Sequence, residues 1–187
     1  MKEFLSLLGV AVAVAGNVHY VRQIGRGVEP HPYTWALGTL VTGITFVGVL
    51  LKGGGVGVWP IAVSFLFTLV IFLFSLRYGL KHIKTLDTTL LVVALAGLVP
   101  WYFTHDPTLS VMIAVGVDIL SFVPTIRKTW EYPETEASLL YAANVARHAL
   151  VLGALGAYNL TTMSHSIAMM LVNTGMVALI LWRRGKL

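Results

Sequence analysis

Two charges stand inside stretches that are otherwise apolar: Asp118 within VMIAVGVDILSFV and Arg147 within SLLYAANVARHALVL. Asn144, Arg147 and His148 are spaced i, i+3, i+4, which puts them on one face of a helix. A third polar group, Asn173, interrupts MMLVNTGMVALIL. A carboxylate, a guanidinium, two amides and an imidazole can build an ion pair, a hydrogen-bonded solute site or a proton relay, since an imidazole titrates near neutral pH. The spacing predicts an Asp118–Arg147 pair with Asn144 and His148 alongside. Two readings stand: a pair that fixes helix packing, or the polar wall of a substrate or proton site. Intramembrane ionisable residues mark functional sites by default.

Other chemistries lack their residues. There is no Cys, hence no disulfide, thiolate ligand or cysteine nucleophile. His31, His82, His105 and His165 fall on expected loops and opposite faces, so no metal site or other cofactor is expected. No nucleophile with its base and no paired catalytic acids occur, so no enzyme is expected. Lys2, Lys52, Lys81, Lys84, Lys128 and Lys186 all lie near the ends of apolar stretches, which leaves no lysine for a Schiff base inside the last one.

The elements that must hold these groups follow from composition. The 187 residues are 57% hydrophobic and only 11% charged, with mean hydropathy +0.81. Soluble domains carry about 25% charged residues, so an all-α integral membrane protein is expected. A spanning helix needs about 20 mostly apolar residues. Seven stretches qualify, at 3–24, 34–52, 57–79, 86–103, 108–126, 137–157 and 162–183, joined by short turns around Pro30 and Pro32, Gly53-Gly54-Gly55, Asp106-Pro107, Pro133 and Asn159. At 1.5 Å per residue, Asp118 counted from Arg127, Arg147 from Glu136 and Asn173 from Arg183 each lie roughly 14–16 Å from the expected cytoplasmic face, and so converge near the midplane.

Lys2 followed by an apolar run, with Ala13-Val14-Ala15 behind it, imitates a secretory signal. The run continues to Val21 and has a counterpart later in the chain, so it is expected to stay as the first helix. Gly9, Ala13 and Gly16 in that helix, and Ala142, Ala143 and Ala146 in the sixth, form surfaces that let helices approach closely.

The net charge of +5 lies at helix ends, where topology rather than nucleic acid explains it. With the N-terminus outside, the inner regions hold ten basic residues, among them Arg22, Arg26, Arg77, Arg127, Lys128 and Arg183; the outer side holds only Lys2 and Lys52. The positive-inside bias therefore places the C-terminus in the cytoplasm of a cell whose inner membrane holds the chain. Trp35, Trp59, Trp101, Trp130 and Trp182 fall near span ends, as an aromatic belt requires. Glu131, Glu134 and Glu136 read as a solvated turn offsetting Arg127 and Lys128.

The chain also repeats. A shift of 105 residues carries His19-Tyr20-Val21-Arg22 onto Pro124-Thr125-Ile126-Arg127 and the second span onto the sixth. A shift of 106 carries Leu76-Arg77-Tyr78-Gly79 onto Trp182-Arg183-Arg184-Gly185 and pairs Phe67 with Asn173. The expected organisation is a three-helix repeat at 1–79, a linker helix at 80–107 and a second repeat at 108–187. An odd linker gives both repeats the same orientation, a known transporter plan. Ala13 then matches Asp118, and Thr42 matches Arg147, so the two charges belong to one repeat only.

This three-one-three layout, with a helix ending in Val123-Pro124-Thr125-Ile126-Arg127-Lys128, resembles the PQ-loop superfamily, which includes the SWEET sugar facilitators, PnuC-type vitamin transporters and KDEL receptors. PTIRKTW followed by SLLYAANVARH resembles a bacterial branch of it. The name-giving Pro-Gln pair falls on Pro124-Thr125 and on His19-Tyr20. The resemblance implies alternating access around a cavity bounded by helices 1, 2, 5 and 6. It implies a hinge at Pro124 and a substrate contact at Asn173; His19, which takes the place of Pro124 in the first repeat, reads either as a structural hydrogen-bonding residue or as part of an inner gate. The expected partners are the lipid bilayer and a small-molecule substrate bound by Asp118, Asn144, Arg147, His148 and Asn173, with homo-oligomers compatible; a receptor on the same scaffold is the alternative.

Overall fold

The computed structural model describes residues 1–97 and 107–186. Among these residues the chain is all-helical, with seven α-helices: α1 (Lys2–Gln23), α2 (Pro32–Leu51), α3 (Val58–Tyr78), α4 (Thr85–Gly97), α5 (Pro107–Glu131), α6 (Ser138–Ala154) and α7 (Leu160–Arg184). The expectations for Trp101, His105, Asp106 and the end of the fourth span lie outside the described residues.

Local chemistry sets the ends. Pro32 opens α2, where its missing N–H is unneeded. Asn159 caps α7 through a capping box with Thr162. The sequence expectation ends the fifth helix near 126, but α5 runs on through Pro124 to Glu131. Pro124 therefore lies inside the helix, where it removes the bond to the carbonyl of Leu120.

Five helices are long and apolar enough to cross a membrane: α1, α2, α3, α5 and α7. The described part of α4 has 13 residues and α6 has 17, both shorter than the other five; the rest of the expected fourth span lies outside the described residues. Leu7, Leu51 and Leu171 are each about two-thirds exposed. A helical assembly with such leucines on its outside is compatible with a membrane protein.

The packing is paired. α1 and α2 both contact α3, and α5 and α6 both contact α7. Across the middle, α1 packs on α6 and α2 on α5, while α4 packs on α5 and α2. The α1–α6 crossing is close: a Cβ on Gly16 would stand 2.6 Å from Cβ of Ala143. Only small residues permit that approach.

One end of the assembly is polar. Loops 24–31, 79–84 and 132–137 meet there, joined by a bond from Glu29 N–H to Thr135 O. Asp87, fully buried at the start of α4, receives Arg127 of α5 at 2.5 Å and lies 3.2 Å from Nε2 of His31. Lys84 and Arg127 both reach Glu131. At the other end Gly156 donates to Gly54 O and Asn159 to Lys52 O, tying the α6–α7 turn to the α2–α3 turn.

Candidate functional site

Each helix that reaches the centre contributes residues at helical spacing. α2 supplies Thr34, Trp35, Gly38 and Thr42; α6 supplies Leu140, Tyr141, Asn144, Arg147 and His148; α7 supplies His165, Met169 and Asn173. Asp118 and Phe122 of α5, one turn apart, and Thr68 of α3 complete one cavity. The cavity between these side chains measures about 70 Å³, small beside the roughly 300–1,000 Å³ of ordinary small-molecule sites. All five residues expected to contact a solute line it.

The pairing inside it differs from expectation. Asp118 and Arg147 form no salt bridge. Asp118 Oδ2 lies 3.2 Å from Nε2 of His165, and its Oδ1 accepts from Ser121 Oγ at 3.4 Å. Arg147 donates through Nε to Asn144 Oδ1 at 3.4 Å, and an Nη lies 2.7 Å from Nε2 of His148. Asn144 in turn donates to Asn173 Oδ1 at 3.3 Å, and Asn173 donates to Met169 O. Reach explains the change, since α7 places an imidazole beside Asp118. The rings of His148 and His165 stand edge to face with centroids 5.7 Å apart.

His165 is the residue that sequence reading missed. By position along the chain alone it is one of several scattered histidines. The signal was present in the stripe His165, Met169, Asn173, spaced i, i+4, i+8 on one face of α7.

Two further corrections concern the walls. No residue of α1 lines the cavity, which is bounded instead by α2, α3, α5, α6 and α7. Asn17 is buried in α1 and bonds its own helix at Ala13 O. On α3 it is Thr68, and not the neighbouring Phe67, that lines the cavity, so a hydroxyl and not an aromatic ring occupies the wall there.

Between this cavity and the polar end stands a buried cluster. Lys128 Nζ lies 2.6 Å from Glu136 Oε1, and both side chains are fully buried. Glu136 Oε2 accepts from Tyr141 at 2.8 Å and from Tyr20 at 3.2 Å, and Tyr20 packs on Trp35. The expectation that Glu136 is solvated is therefore corrected: its turn folds inward over Lys128. Tyr141 and Trp35 face the cavity, whereas Glu136 also borders a recess at the polar end with His19, Gln23, Arg26 and Arg184. His19 thus lies in that recess and outside the central cavity. Trp130 and Trp182 pack together, half-exposed, under Arg183 and Lys186.

No family model matches the chain, and no curated relative and no solved structure matches it.

Proposed function

We propose that this chain is a membrane transporter for small solutes, working by alternating access, with α1–α3 and α5–α7 as parallel repeats joined by α4. One observation carries the reading: polar groups from helices of both halves converge on a single cavity deep in an apolar assembly. The equivalent contacts within and between the two halves support the repeat, and transporters place their sites at the repeat interface. The same pattern supports membership of the PQ-loop superfamily. The ten basic residues at the polar end support a cytoplasmic position for it, with the N-terminus outside in a cell inner membrane.

In this reading the Lys128–Glu136 cluster closes the cytoplasmic side. Opening requires the α5–α6 turn to move away from Tyr20 and Trp35. Pro124 lies one turn before Lys128 and interrupts the backbone ladder of α5 where a bend serves that motion.

The buried lock also favours a second reading, a receptor that binds from one side without passing its ligand. Flux in proteoliposomes separates the two. Uptake by wild type that is lost in Asp118→Asn and Arg147→Gln supports transport through this cavity. Ligand binding with no flux in any direction supports the receptor. If both variants fold and transport like wild type, the cavity assignment is wrong.

A further inference from the structure

We infer that the cavity takes a small organic monocarboxylate with an apolar body, and that Arg147 holds its carboxylate; this rests on reading the cavity as a solute site. Arg147 is 6% exposed. Its hydrogen-bond partners are the neutral Asn144 and His148, and among the described residues no carboxylate lies within 4.0 Å of it. The other charge in the wall, Asp118, is engaged by His165 and Ser121. Asp118 acts on Arg147 only from beyond salt-bridge distance; a buried cation without a contacting counter-charge is costly, and an anionic ligand supplies one.

The contact with Arg147 also fixes the tautomer of His148. A guanidinium only donates, so Nε2 of His148 accepts from Arg147, and the neutral ring carries its hydrogen on Nδ1. That Nδ1 is buried and has no partner, and the same holds for Nδ1 of His165. Buried polar atoms normally find partners. The wall therefore presents a guanidinium with two of its five N–H groups used. A carboxylate matches that fork geometry with two parallel bonds. Trp35, Phe122, Leu140 and Met169 form the remaining apolar wall, which suits a hydrocarbon or aromatic body. A neutral polyol would leave the guanidinium without a contacting anion and lay hydroxyls on those side chains.

The test is binding to the purified full chain in nanodiscs at neutral pH, by calorimetry. The probes are acetate, isobutyrate and benzoate, each against its own amide, with benzylamine and inorganic phosphate as controls. Expected is tighter binding of isobutyrate and benzoate than of their amides by about ten-fold or more, as for a charge-assisted bond left unmade, and loss of that preference in Arg147→Gln. Arg147→Lys keeps the charge but not the fork, and should retain only part of it. If no carboxylate binds better than its amide, or phosphate binds as well as benzoate, the inference falls. Should Arg147→Gln fail to fold, the acid–amide comparison on wild type decides alone. Flux of neutral solutes without acid binding would sink this inference and leave transport standing; acid binding without flux would do the reverse.

Discussion

Lys128 of α5 and Glu136, two residues before α6, form an ion pair of 2.6 Å with neither side chain exposed. Lys128 also donates to the backbone carbonyl of Glu29, and Glu136 holds the hydroxyls of Tyr20 and Tyr141. One pair thus joins α1, α5, α6 and the α1–α2 loop beneath the cavity. Such a pair satisfies itself but isolates a charge when broken.

Removing one partner strands the other in the interior. Glu136→Gln should destabilise the folded chain by about 3–5 kcal/mol, the usual cost of a lone buried charge. The double variant Lys128→Met, Glu136→Leu should recover most of that loss, since apolar replacement of a whole buried pair is often neutral. Denaturation of the three proteins in detergent checks this. A double variant as unstable as the sum of its singles would mean that the pair is not the unit of stability here.

His31 gives a pH dependence of known sign. It is fully buried just before α2. Burial lowers its imidazole from 6.5 to about 4, with Lys128 and Arg127 pushing the same way and the Asp87 carboxylate opposing. Between about pH 6.5 and 4 the unfolded chain binds a proton that the folded chain refuses. Stability from this group is therefore complete above pH 6.5 and falls as pH drops through that window. Melting temperatures at pH 7.5, 6 and 5 should fall more steeply for wild type than for His31→Gln. Parallel curves would remove the imidazole from the explanation.

The α1–α6 crossing depends on Gly16. Its added Cβ would meet Ala143 at 2.6 Å, closer than real side chains stand. Gly16→Ala should cost about 1–3 kcal/mol, the usual penalty of overpacking, and Gly16→Leu more. Gly175→Ala is the control, because a Cβ there meets nothing within 4 Å. Equal melting temperatures for Gly16→Ala and Gly175→Ala would show that the two helices separate without cost.

The sequence by itself determined the helices and the depth of their polar groups. Apolar length sets which stretches become long helices, and a fixed rise per residue puts Asp118, Arg147 and Asn173 at similar depth. It also determined the shared faces, since Asn144, Arg147 and His148 follow from 3.6 residues per turn. Only the tertiary structure decided the partners. Which imidazole or guanidinium reaches Asp118 depends on how α5, α6 and α7 are rotated and spaced, and these follow from packing across the whole interface. A one-residue register difference turns a helix by about 100°, which is why Thr68 and not Phe67 faces the cavity. Glu136 was beyond reading for a related reason. A short acidic turn resembles any solvated loop until the tertiary fold lays it over a buried lysine, and that lysine then makes burial of the carboxylate favourable.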